Sequence, residues 1–201
     1  MKHESINRMV SIALLAAVVV VLQLLAGLLK IGTFSITLTL IPIIVGAAFY
    51  GPSAGAILGA VFGLVVYIGC VTGSDVGGHM VFAANPFLCF LVVMGKGAHA
   101  GFCAGLVYRL VMNGRDSVKR GVVAVFLAGI AAPVVNTGVF CIGMLLFFRG
   151  TLQAWAAGSD LFNYIILSLT GVNFLIELGI NVVFSPAIVT IVRAVRKTEL
   201  K

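Results

Sequence analysis

Charge is what this sequence has least of. Only 9% of its 201 residues are Asp, Glu, Lys or Arg, against roughly 25% in ordinary soluble chains. A water-soluble domain of this length needs a charged skin, and there are too few charges to build one. Hydrophobic residues make up 61%, above the roughly 45–50% of soluble proteins, and the mean hydropathy is +1.20. These values exclude a soluble enzyme and a disordered chain and point to an integral membrane protein. Acidic residues are the scarcer sign, 6 against 13 Lys and Arg, for a formal net charge of +7. In a soluble chain that surplus would suggest nucleic acid. In a membrane chain it marks the cytoplasmic side, and no nucleic-acid partner is expected.

Other absences narrow the function. The four cysteines, Cys70, Cys89, Cys103 and Cys141, each sit in an apolar run, with no CxxC and no Cys/His cluster. Neither a zinc site nor a disulfide framework is indicated, and the cysteines read as small buried hydrophobes. HExxH, GxSxG and Walker A motifs are missing. Asp75, Asp116 and Asp160 fall in polar connecting segments, so no intramembrane aspartyl dyad exists. No catalytic residue, cofactor or metal is therefore expected. A cleavable signal is not convincing either: the polar residues 1–8 lead into an apolar run, residues 9–29, of full span length. No internal repeat is visible, which weakens a stand-alone inverted-repeat transporter, although a secondary transporter or channel remains an alternative. Without a nucleotide site, a pump would have to borrow its motor from another protein.

What is present is apolar sequence in six segments, near residues 9–29, 34–50, 52–71, 86–112, 122–148 and 168–192. The expectation is an all-α integral membrane protein, a six-transmembrane-helix bundle forming one domain over residues 1–201 with both termini cytoplasmic. The polar connection TGSDVGGH reads as a loop, and residues 72–84 and 149–163 are candidate lids. Orientation follows from the cations. Lys2, Arg8, Arg109, Arg115, Lys119, Arg120, Arg193, Arg196, Lys197 and Lys201 share one side, and Lys30 and Arg149 the other, with Lys96 inside a span.

Gly51, Gly55, Gly59 and Gly63 recur every fourth residue, on one helix face that a neighbour can approach closely. Ionisable groups in lipid are costly and usually functional. Lys96 and His99 share a face of the fourth span, and Asn173, Glu177 and Asn181 form an NxxxExxxN stripe on the sixth. Asn136 follows Pro133 in the fifth, and Asn85 opens the fourth just before Pro86. Two readings stay open: a Lys96–Glu177 pair that knits helices together, or a polar cavity open to the outside.

Three features resemble the substrate-binding S components of energy-coupling factor (ECF) vitamin transporters. Ala13 and Ala17 form an AxxxA motif in the first helix. Residues 35–64, SITLTLIPIIVGAAFYGPSAGAILGAVFGL, resemble that family's second and third helices. The six-span, both-ends-inside layout covers the whole chain. The stretch is most similar to pantothenate-type members; Thr39-Leu40-Ile41 precedes Pro42 where riboflavin-type members carry an acidic DIP pattern. Folate-type or other vitamins remain alternatives. The resemblance implies a bacterial cell-membrane protein that binds a small vitamin near the outer face. It implies that Ala13 and Ala17 dock on a transmembrane coupling subunit, itself joined to two cytoplasmic ATPases. The pocket it implies coincides with Asn85, Lys96, Asn136, Asn173 and Glu177, with His99 and Asn181 deeper.

Overall fold

The computed structural model of the chain describes residues 2–26, 30–31, 34–35, 39–114 and 117–199. Among these the fold is helical apart from one minimal antiparallel pairing, β1 (Lys30–Ile31) with β2 (Phe34–Ser35). The helices are α1 (Lys2–Ala26), α2 (Leu40–Tyr50), α3 (Pro52–Thr72), α4 (Val76–Ala84), α5 (Pro86–Met112), α6 (Val118–Phe147), α7 (Arg149–Ala156), the single turn α8 (Leu161–Asn163) and α9 (Val172–Glu199). A π-helical stretch, Tyr164–Gly171, precedes α9. Among the described residues, five segments are long and apolar enough to cross a membrane: Ile6–Ala26, Pro52–Thr72, Pro86–Met112, Val118–Phe147 and Asn173–Val192.

The expected second span is helical only from Leu40. Phe34–Ser35 is extended, and residues 36–38 lie outside the described set. With 11 residues, α2 rises about 16 Å, short of a hydrocarbon core of about 30 Å. It is nevertheless the innermost helix. Leu40, Ile43 and Ile44 are fully buried, and α2 packs on α1, α3, α5, α6 and α9. Gly51, at φ +87°, reverses the chain after α2 in a conformation that favours glycine, and Pro52 starts α3 with its fixed φ.

The glycine series meets a second one. Gly97, Gly101 and Gly105 on α5 repeat the four-residue spacing and face α3 in antiparallel register. A Cβ on Gly59 would collide with the Gly97 carbonyl oxygen, and one on Gly55 with that of Gly101. One on Gly63 would lie 2.7 Å from the Val93 carbonyl oxygen. The α3–α5 seam is thus backbone against backbone, the close approach that small residues permit in a membrane.

The connection TGSDVGGH is not a plain loop, because α4 begins inside it. Asp75 takes an extended conformation and its Oδ1 accepts the Gly78 N–H at 3.0 Å, an N-cap that satisfies one of the helix's orphan donors. The His79 Nδ1–H donates to the Cys70 carbonyl at 2.8 Å, and Tyr67 stands edge-on to both Phe82 and Phe90. These contacts pin α4 against α3 and α5. Residues 149–163 also carry helix, α7 and α8, separated by Ala157 and Gly158 at positive φ. In the π-helical stretch the Thr170 hydroxyl donates to the carbonyl of Ile165, five residues back, at 2.7 Å.

Candidate functional site

Lys96 is the eleventh of the 27 residues of α5, in the half of the helix nearer α4. Its ammonium lies 5.8 Å from the Phe62 ring centroid and 5.1 Å from that of Phe140, within cation–π range of both. It lines a cavity of about 30 Å³ with Cys70, Asp75, Gly78, Cys89 and Phe140. That is room for a water molecule or two. The walls come from α3, α4, α5 and α6, and α4 closes the cavity with Asp75, Gly78 and Val81.

The polar stripe of α9 is not part of this cavity's lining, and its level follows from the helix register. The Cys141 thiol is 4.0 Å from the Thr170 hydroxyl, and Gly129 faces Asn181 and Ser185, so α6 and α9 run antiparallel. Moving along α6 from Gly129 to Asn136 therefore moves back along α9 to the turn between Asn173 and Glu177. On the other flank, Lys96 stands level with Phe140, one turn from Asn136. By register Lys96 thus stands at about the level of Asn136, Asn173 and Glu177, on the other flank of α6 from the α9 stripe. Asn136, Glu177 and Asn181 are buried, at 4%, 5% and 1% exposure, and Asn173 is half-buried. The Oδ1 atoms of Asn136, Asn173 and Asn181 are buried and accept no hydrogen bond among the described residues. An unsatisfied buried acceptor costs about 1–3 kcal/mol, so a ligand bearing hydroxyl or amide donors is favoured there. Asn181 also donates from Nδ2 to the Glu177 carbonyl at 2.8 Å, and its own carbonyl accepts the Ser185 hydroxyl at 2.7 Å.

Two expected residues stand apart from this group. Asn85 is exposed at the start of α5, and its Oδ1 is engaged by the Leu88 N–H at 3.0 Å as an N-cap. His99 is exposed, and its Nδ1–H donates to the Gly95 carbonyl of its own helix at 2.7 Å. Conversely, the structure adds Asp75, Phe62 and Phe140 to the surroundings of Lys96. The Asp75-Val-Gly-Gly sequence carries an N-cap signature, but the two rings reach Lys96 only through tertiary packing. Among the described residues, no three His, Cys, Asp or Glu side chains group in a way that could hold a metal ion.

Residues 7–189 match the family model described as "ECF transporter, substrate-specific component". The chain belongs to this family. The S component is also similar to the pantothenic acid transporter PanT of Lactococcus lactis subsp. cremoris (strain MG1363), at 27% identity over 204 aligned residues, covering 94% of this chain and 95% of that protein. No solved structure matches it significantly. The family is one of transporter components rather than an enzyme class.

On this S component, Ala13 and Ala17 lie on the exposed face of α1, while Val19 and Gln23 turn inward. Gln23 accepts the Thr39 hydroxyl at 3.0 Å inside the bundle. Near the other end of α1, the Arg8 guanidinium donates to the Tyr50 carbonyl at 3.1 Å.

Proposed function

We propose that this S component captures pantothenate at the outer face of a bacterial cell membrane and hands it to a coupling subunit driven by two cytoplasmic ATPases. It does no chemistry on its cargo. The observation that carries the reading is Lys96, a cation inside a span, set between two aromatic rings, in a bundle that also holds buried amide oxygens without donors on Asn136 and Asn173. Pantothenate offers a carboxylate for the ammonium and hydroxyl and amide N–H donors for Asn136, Asn173 and Glu177. Asn181 supports the stripe from below. Asn85 and His99 are engaged by their own helix and act at the margin. The similarity to a pantothenic acid transporter supports the same ligand.

A ligand of this size needs a pocket of about 300 Å³ or more, ten times the present cavity. Loading therefore requires α4 to swing away, with Gly73 at φ +77° as the pivot. The chain forms one six-helix membrane domain in this reading, with the short α2 as the sixth helix. Both termini are cytoplasmic, as the cation bias demands. Ala13 and Ala17 are the contact to the coupling subunit.

Calorimetry of the purified protein against pantothenate, folate, riboflavin, biotin and thiamine tests this. Pantothenate should bind tightest. Lys96→Ala and Lys96→Gln should each weaken it ten- to hundredfold, the loss of one charge-assisted hydrogen bond of about 1.5–3 kcal/mol. Tight binding of an uncharged vitamin, or indifference to both substitutions, overturns the pantothenate assignment and leaves family membership standing.

A further inference from the structure

At the basic end of the bundle, α6 and α9 part to leave a groove of about 560 Å³. Val122, Val123 and Phe126 form one wall, and Val182, Pro186 and Thr190 the other. The hydroxyls in the groove are already spent on their own helix: Ser185 donates to the Asn181 carbonyl and Thr190 to the Pro186 carbonyl. What the walls present is therefore hydrocarbon. Gly129 holds the two helices together at the closed end, against Ser185.

The open end is cationic. Lys119 precedes Val122 and Val123 by three and four residues, and Arg120 precedes Val123 by three, so both rise from the groove's own face of α6. Beyond Thr190 the sequence continues through Arg193, Arg196 and Lys197. The N-terminus of α6 points to the same end. A hydrocarbon trough ending in cations matches a molecule with an acyl chain and an anionic head.

We propose that this groove is a binding site for one anionic phospholipid, its acyl chain between α6 and α9 and its phosphate on Lys119 and Arg120. Basic recesses between membrane helices on the cytoplasmic side are where such lipids bind. A neutral lipid or an apolar partner helix would make no use of the two cations, which form no ion pair among the described residues. The site lies away from α1, which packs on α2 and α3, and it does not depend on which vitamin is carried.

Native mass spectrometry of the purified, delipidated protein, titrated with phosphatidylglycerol and phosphatidylcholine, decides the matter. One phosphatidylglycerol should bind at least tenfold more tightly than phosphatidylcholine. Lys119→Ser with Arg120→Ser should erase that preference, and Val123→Trp should reduce binding of both lipids by filling the trough. Val182→Trp, on the opposite wall, repeats the test if Val123→Trp does not fold. Equal binding of the two lipids, or retention of phosphatidylglycerol in both tryptophan variants, overturns the proposal. So does cross-linking of the groove to the coupling subunit with no phospholipid retained in the assembled transporter.

Discussion

Asp75 belongs both to α4, as its N-cap, and to the cavity, as the acid on the wall it shares with Lys96. Removing the carboxylate costs α4 its cap, about 0.5–2 kcal/mol. Asp75→Ala should therefore raise amide hydrogen exchange across Val76–Ala84 several-fold and speed ligand release more than it slows capture. An unchanged exchange pattern would show that α4 is held by the Tyr67–Phe82 and His79 contacts alone. The residue scale also shows what local sequence can carry. The Asn173–Glu177–Asn181 stripe was readable because four-residue spacing fixes a face on any helix, and all three side chains do turn into the bundle. Lys96 was readable as an ion in lipid. Its rings were not, because Phe62 and Phe140 sit on other helices and nothing near Lys96 in the sequence announces them.

Among elements, the α3–α5 seam sets the position of the cavity, since it fixes Phe62 and Lys96 relative to each other. Overpacking a tight interface typically costs about 1–3 kcal/mol, and here the obstacle is backbone. Gly59→Leu should lower the thermal unfolding midpoint markedly in detergent, whereas Gly138→Leu, with open space around its Cβ position, should leave it nearly unchanged. One side of this seam is legible as the Gly51–Gly63 series, and its partner series at Gly97, Gly101 and Gly105 carries the same spacing. The Asp75 cap signature before α4 is also local, but the glycines that follow it read as loop. The π-helical stretch had no local signal, because it depends on how Thr170 and Ile165 settle between neighbours. For α1 the expectation concerns assembly. Ala13→Trp with Ala17→Trp should abolish co-purification with the coupling subunit and leave vitamin affinity within about twofold, since neither side chain is buried. Equal loss of binding would mean that this face supports the bundle itself.

For the whole molecule, alternation of the helices puts the start of α1, the α2–α3 reversal, the α5–α6 turn and the end of α9 at one end, and α4, α7 and α8 at the other. Lys119, Arg120, Arg109 and Arg8 gather at the first end, as the positive-inside rule asks of a cytoplasmic face. Single-cysteine labelling of intact cells checks this. A cysteine at Ser159 should react with a membrane-impermeant maleimide, and one at Ser117 should react only after permeabilisation; the reverse pattern would invert the orientation. The six-segment reading came from hydropathy, which registers how apolar a stretch is. It cannot register that α2 is short and central, because a buried helix and a spanning helix are equally apolar.

The glycine seam also carries an evolutionary consequence. Every missense change at a glycine codon adds a side chain, so Gly55, Gly59, Gly97 and Gly101 can be broken by substitution but never trimmed. A leucine-packed interface can drift through isoleucine, methionine or valine, with each step compensated by a neighbour. This one has no intermediate steps, because the opposing surface is carbonyl oxygen that cannot repack. While its ligand and lipid contacts remain free to diverge, the protein is held to one spacing between α3 and α5.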